Sequence, residues 1–283
     1  MTVSTFTFAS TTFGIEIECL VPANSYGLQS QIDAACGRNV WTVGTDGSVR
    51  ANERGAGAGF RGVEIRTTSY VTGATAKEAI DGLCGVLATV GAYVNKSCGL
   101  HVHVGARNMS AQQIAKICAF YAKYEGEIDA FMAPSRRESN SPYCKSLFGR
   151  TEYANGAYTR TTQDGVIAAL AQCRTVADIG QVVNGSYQPH GRYPEGRYHK
   201  VNVQCFERLG TVEFRQHQGT VEAHKIWNWV QFLGQTAVAA AKWKPIQARG
   251  TMTSKAAFRN LTAALTPDVR AYLTARTAHF DAQ

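Results

Sequence analysis

A run of roughly 20 apolar residues, the length a helix needs to cross a bilayer, is missing from this chain of 283 residues. The longest apolar stretches, 80–94 and 227–241, are broken by Asp81, Asn228 and Gln231, so no membrane span is expected. The first residues, MTVSTFTFASTTFG, lack a basic segment followed by an apolar one, so no secretory signal is read and a cytoplasmic protein is expected. Proline is scarce, 7 residues against 27 glycines, and with no Gly-X-Y period and no biased tract the collagen-like and low-complexity classes are excluded. None of the 8 cysteines stands in a C-x-x-C pair. A chain this long does not need disulfide staples, and free buried thiols are expected. No run of five like charges occurs. The excess of 29 Lys and Arg over 21 Asp and Glu, a formal +8, favours an anionic partner such as a nucleotide or nucleic acid, or else reflects a soluble basic surface. A hydrophobic content of 45% is ample for a folded core.

What the chain does have is alternation. In residues 12–20, TFGIEIECL, Phe13, Ile15, Ile17 and Cys19 share one strand face, and Gly14, Glu16 and Glu18 share the other. The same pattern returns at 61–68, with Val63 and Ile65 opposite Glu64 and Arg66, and at 99–105, with Leu100, Val102 and Val104 opposite His101 and His103. Strands are also read at 198–206 and 211–217, joined as a hairpin, the second placing Glu213 and Arg215 opposite Val212 and Phe214. Helices are read at 74–94, from the Ser110 cap through residue 132, at 164–172, 175–184 and 221–243, then two short ones divided at Pro267. Residues 134–163 are polar and irregular, a length that points to a functional loop or lid. The expected fold is α+β: a mostly antiparallel sheet with helices packed on one face. A single domain is expected over 1–283, with 244–283 as a helical extension.

The polar strand faces bring together Glu16, Glu18, Glu64, His101, His103, Glu213 and Arg215. A solvated outer face is the alternative for any one strand. Such a face normally mixes Lys, Thr, Ser and Gln, however, and four carboxylates on neighbouring strands repel unless something positive lies among them. Hard Mg²⁺ or Mn²⁺ would supply that charge, preferring carboxylate oxygen and tolerating an imidazole; zinc would more often recruit Cys or a second His. Arg215 then suits a phosphate clamp, with an ion pair to Glu213 or Glu64 as the other reading.

The blocks FGIEIE, TDGS, GVEIRT, CGLHVHVG, SRRESNSPYC, RYHKVNV and TVEFRQHQGTVEAHKIWNWV, in this order, resemble the amidoligase family of the carboxylate–amine ligase superfamily, which includes glutamine synthetase and glutamate–cysteine ligase. The resemblance runs from about residue 13 to 229. It implies a glutamine-synthetase-like catalytic fold and an ATP-dependent ligase that phosphorylates a carboxylate and passes the acyl group to an amine. On this resemblance Glu16, Glu18, Glu64, His101 and Glu213 would hold Mg²⁺ (or Mn²⁺) around the ATP phosphates. Glu64 and Glu213 would be catalytic with Arg215, which stabilises the transferring phosphoryl, and His103 would lie near the nucleotide. Asp46 and Ser48 resemble substrate-side residues; an ordinary Asp-Gly turn accounts for them equally well. From the long loop, Arg136, Arg137, Asn140 and Tyr143 offer contacts to the phosphates or a substrate carboxylate, with a solvated basic loop as the alternative. Asn202 points into the site or bonds within the hairpin, and His217 continues the face of Glu213 and Arg215 or makes a structural hydrogen bond. Where the family commonly continues GVEI with a small polar residue and proline, this chain has Arg66, Thr67 and Thr68. The GAGAGF run at 55–60 is followed by no Lys-Ser/Thr and opens no helix, so it is a hairpin tip or lid and not a P-loop.

The substrates expected are a carboxylate and an amine, in a small molecule, a peptide or a modified nucleobase; nucleic acid, favoured only by the charge balance, and an oligomeric state are further expectations. Two rival classes share the residue set: a metal-dependent nuclease or hydrolase, which clustered carboxylates also suit, and a non-catalytic nucleotide-binding module.

Overall fold

The computed structural model describes residues 7–51, 59–154, 157–191 and 194–282; the glycine-rich run expected to form a tip or lid falls, at 55–58, outside the described residues. In chain order the elements are β1 (Thr12–Pro22), α1 (Leu28–Cys36), β2 (Trp41–Thr45), β3 (Phe60–Thr67), β4 (Val71–Thr72), α2 (Ala76–Thr89), β5 (Gly99–Gly105), α3 (Ala111–Lys123), α4 (Glu125–Ala130), β6 (Thr151–Ala154), β7 (Ala157–Arg160), α5 (Gln163–Gln172), α6 (Val176–Asn184), β8 (Val201–Asn202), α7 (Phe206–Leu209), β9 (Thr211–Gln218), α8 (Ala223–Lys242), α9 (Ser254–Thr262) and α10 (Pro267–Asp281). This is the expected α+β class, and its strands pair antiparallel. The chain divides into two compact units, Met1–Val104 with His217–Gly234 and Gly105–Gln216 with Gln235–Gln283.

In the first unit the strands lie in the order β2-β3-β1-β5, with β4 paired to the start of β1. The alternation read from the sequence is the alternation found. Phe13, Ile15, Ile17 and Cys19 are fully buried, as are Val63, Ile65, Leu100 and Val102, each aliphatic or aromatic side chain contributing on the order of 2 kcal/mol. The Phe13 ring reaches Gly234 of α8, where a Cβ would stand only 2.6 Å from its Cζ. Among the elements with no clear signal in the sequence are α1 and β2. A single side chain joins them: Gln29 donates from Nε2 to the Trp41 carbonyl at 2.9 Å and accepts from the Val43 amide at 2.8 Å, so backbone groups of an edge strand are satisfied by a helix side chain.

In the second unit Ser110 caps α3 as read, forming a reciprocal capping box with Gln113. The helix expected to run through residue 132 stops at Lys123, where Tyr124 leaves helical geometry (φ −111°, ψ 16°), and resumes as α4. The long segment expected to be irregular contains a hairpin, β6–β7. The strand expected over 198–206 contracts to Val201–Asn202. The reason is hydrogen-bond competition: the Val203 amide goes to Asn184 Oδ1 at 3.1 Å, the Gln204 amide to Asn202 Oδ1 at 2.8 Å, and the chain then coils into α7. The C-terminal segment forms α9 and α10, divided at Pro267, which opens α10 as expected. It is tied to the second unit by Lys116 Nζ donating to the Trp243 carbonyl at 2.7 Å, by Trp243 against Phe120, and by Arg249 on Glu127.

All 8 cysteines are free, and all but Cys36 are buried. No helix among the described residues is long and apolar enough to cross a membrane.

Burial pushes the His199 imidazole down to about 4; the charges of Arg150 and Lys145 act in the same direction, and the hydrogen bond to the Gly196 carbonyl opposes them. The unfolded chain therefore binds a proton near pH 6.5 that the folded chain refuses, and stability falls as pH drops from about 6.5 toward 4, by about 3 kcal/mol in all. Urea denaturation between pH 7 and pH 4.5 should show this slope, and His199→Gln should remove that share of it. Equal pH slopes for the two chains would dismiss the assignment.

Candidate active site

In the first unit, strand register does the assembling. Antiparallel pairing sets Glu16 opposite His101 and Gly14 opposite His103 across β1–β5, and sets Glu18 opposite Glu64 and Glu16 opposite Arg66 across β1–β3. Five predicted site residues are thus collected on one face. His101 Nδ1 lies 3.3 Å from Glu16 Oε2 and its Nε2 lies 3.7 Å from Glu18 Oε1; His103 Nε2 lies 3.4 Å from Glu16 Oε1. Glu18 Oε2 accepts the Gly99 amide at 2.6 Å. The face is not solvated: Glu18, His101 and His103 are buried, and Glu16 and Glu64 are half-buried.

Two glycines make room for these side chains. A Cβ at Gly14 would sit 3.2 Å from the Cβ of His103, and one at Gly44 would sit 3.4 Å from Arg66 Nη1. The short β2 delivers one more carboxylate. Just past its end Asp46 forms the anticipated turn, its Oδ1 accepting from the amide and the hydroxyl of Ser48 at 2.6 Å each. Yet the turn does not use up its acceptors. Glu18, Asp46 and Glu64 can each offer a carboxylate oxygen, and these atoms lie within 4.8 Å of one another. The family resemblance placed Asp46 on the substrate side, with an ordinary Asp-Gly turn as the other reading; its proximity to the acidic strands depends on β2, which lacked a signal.

The electrostatics of the two glutamates on neighbouring strands differ. Burial works to raise the Glu64 carboxyl, and the negative charge of Glu16 and then Asp46 adds to this; Arg66, at 2.9 Å, opposes but does not cancel them. Burial would raise Glu16 too, but hydrogen bonds and charge from His101 and His103 outweigh it and hold this carboxyl well below the usual range.

In the second unit β9 presents Glu213 and Arg215 on one side, and β8 sets Asn202 opposite Glu213. Asn202 Nδ2 donates to Glu213 Oε2 at 2.5 Å, so Asn202 has the hairpin bond that was one of its two readings. The Arg215 guanidinium is paired with the other oxygen of Glu213, donates from Nε to the Tyr143 carbonyl at 3.4 Å, and lies 5.9 Å from the Tyr198 ring. Tyr143, from the long loop, packs edge-on against Tyr198 and is exposed. The structure thus collects Glu213, Arg215, Asn202 and Tyr143, and adds Tyr198, from the RYHKVNV block. The two loop arginines are placed otherwise. Arg136 is buried and its carbonyl accepts from Gln216, while Arg137 donates to the Met132 carbonyl at 3.0 Å and lies over Phe280. His217 Nδ1 is 2.6 Å from the Gln218 carbonyl and its ring packs on Trp229, in keeping with a structural role.

The sequence reading missed a buried ionic group behind β8 and β9. Lys200, fully buried, binds Glu125 and Asp129 of α4. A signal was available, since Glu125 falls four residues after Tyr121 on the stripe that carries the core residues of α3, and an acid on an apolar stripe requires a buried partner.

No curated protein sequence matches this chain. A family model described as “Putative amidoligase enzyme” matches residues 9–237, a span that holds every residue of both clusters. The chain belongs to this amidoligase family.

Proposed function

We propose that this protein is an ATP-dependent carboxylate–amine ligase that activates a carboxylate as its acyl phosphate and closes an amide bond with an amine. The observation that carries this reading is the convergence of Glu18, Asp46 and Glu64, with carboxylate oxygens within 4.8 Å of one another. Burial, with the negative charge of Glu16 and then Asp46, pushes the Glu64 carboxyl up, and an all-oxygen set of this kind fits a hard divalent cation, Mg²⁺ or Mn²⁺. Glu18, Asp46 and Glu64 would hold it, with Glu16 and His101 completing the acidic face. When bound, the cation would neutralise the charge of the ATP phosphates.

The remaining work belongs to the chain's own side chains. Arg215 supplies a guanidinium to the charge that develops on the transferring phosphoryl group, and Glu213 fixes the orientation of that guanidinium. Asn202 in turn fixes Glu213. His103, seated over Gly14, contacts the nucleotide. Tyr143 contacts the substrate carboxylate. In the first half-reaction a carboxylate oxygen bonds to the γ-phosphorus and ADP departs. The amine nitrogen then bonds to the acyl carbon, phosphate leaves, and the nitrogen gives up a proton. The acid and amine belong to a small molecule, a peptide or a modified nucleobase, and the basic balance of the chain suits their anionic partner ATP. Reactions of this kind draw on the cytoplasmic ATP supply, where we place the protein.

Three outcomes are expected. Purified protein should release ADP from MgATP only when a carboxylate and an amine are both supplied, and Glu213→Gln should abolish the release without changing the far-ultraviolet circular dichroism; ADP release with neither substrate, or phosphodiester cleavage without ATP, would displace the ligase reading. Arg215→Met should lower kcat by about 10²- to 10³-fold with a smaller change in KM; the reverse split would assign Arg215 to ground-state binding. Mn²⁺ titration followed by electron paramagnetic resonance should show affinity weakened by about tenfold or more in Asp46→Asn and Glu18→Gln, and unchanged affinity in both would remove the cation site.

A further inference from the structure

Behind Glu213 and Arg215, on the other side of their hairpin, the second unit buries a Lys with two acids. Lys200 Nζ donates to Glu125 Oε1 at 2.9 Å and to Asp129 Oδ1 at 2.6 Å. Glu125 and Asp129 stand one helical turn apart on α4, hence on one face of it. Asp129 Oδ1 also accepts from the side-chain amide of Gln216, and its Oδ2 accepts the Glu138 amide at 2.7 Å. Tyr121 donates to Gln216 Oε1 at 2.5 Å, and Glu125 Oε2 accepts the Leu147 amide at 3.1 Å. Glu127, also buried, is held by Arg249 from the segment between α8 and α9, beyond the end of the family match at residue 237.

The backbone links this network to Arg215. The Arg215 amide donates to the Lys200 carbonyl at 2.9 Å, and Gln216 is the next residue along β9. The peptide that carries the guanidinium is therefore flanked by two residues whose side chains both end on Asp129. A buried ammonium is a poor device for stability alone, because well-packed apolar groups of similar volume often serve as well. What apolar groups lack is direction. A Met or Leu can settle in several rotamers, whereas converging charged hydrogen bonds admit one position.

We propose that Lys200 is a positioning residue: the network of Lys200, Glu125, Asp129 and Gln216 fixes the β8–β9 hairpin so that Glu213 and Arg215 hold one orientation. The inference rests on the ligase reading for the reaction served, while the pinning of the hairpin is testable without it. Burial raises the Glu125 carboxyl and Lys200 opposes the rise, in keeping with an acid that requires its ammonium.

Lys200→Met alone strands two buried carboxylates and should unfold the full chain. The triple variant Lys200→Met/Glu125→Gln/Asp129→Asn removes the charges together and should fold. Its expected signature is a kcat for ADP release lower by about 10²-fold, as for a catalytic group displaced by about 1 Å, with KM for MgATP within about threefold. Amides 211–216 should exchange their hydrogens about tenfold faster in the absence of substrates. A folded triple variant with wild-type exchange and wild-type kcat would overturn the proposal. So would a loss of kcat that rises in proportion to lost stability and vanishes at lower temperature, since that is the mark of a merely structural role. If the wild type releases no ADP with any substrate pair, the ligase reading fails and the exchange rates decide the pinning on their own. Should the triple variant not fold, Tyr121→Phe, which deletes one neutral hydrogen bond to Gln216, carries the same two readouts, with smaller changes of the same sign expected and none overturning it.

Discussion

A carboxylate taken out of water costs several kcal/mol unless donors or cations meet it, and this demand shapes both units of the chain. In the first, Glu16 is met by two imidazoles and Glu18 by a backbone amide, while Glu64 carries a raised carboxyl despite its arginine. In the second, Glu125 and Asp129 are met by a lysine, Glu127 by an arginine, and Glu213 by an arginine and an amide. The acids therefore divide by chemistry. Those behind the β8–β9 hairpin are satisfied from within the protein and act as structure. Those converging near Glu64 carry excess negative charge, which is what a cation site requires.

Much of this could be read from the sequence because strands have a period of two. The stretches 12–19, 62–66, 99–105 and 211–215 alternate, so face and candidate ligands follow together from one pattern. The elements that escaped notice lack that pattern. In β2 a Thr, a Gly and a half-buried Val stand where alternation would have to appear, and the strand is held by Gln29, twelve residues before its start. Asp46 was legible as a turn and illegible as a neighbour of Glu18. The contraction of β8 is likewise tertiary, since Asn184, from α6, claims the amide that a longer strand would have used.

The candidate residues show the same division. Glu16, Glu18, Glu64, His101 and His103 are adjacent because register follows from alternation plus pairing. Arg136 and Arg137 look alike in sequence but are embedded differently, one buried and one lying on an aromatic ring of α10. Their local sequence carries no trace of this, because the partner is more than a hundred residues away. Lys200 sat in plain view within a motif, yet a lysine just before a two-residue strand gains its meaning only from α4.

The free thiols bear on how one strand keeps two chemistries apart. Cys19 follows Glu18 directly and points into the apolar core, and burial pushes its thiol up to about 12, as it does for Cys84. At neutral pH such a sulfur stays protonated, whereas the thiolate is the nucleophilic form. Both sulfurs are therefore neutral thiols held in the core, although one adjoins an acidic residue in the chain. By facing its sulfur into the core and its carboxylates to the other side, a single strand keeps thiol and acid chemistry apart, and that separation comes from the pleat itself.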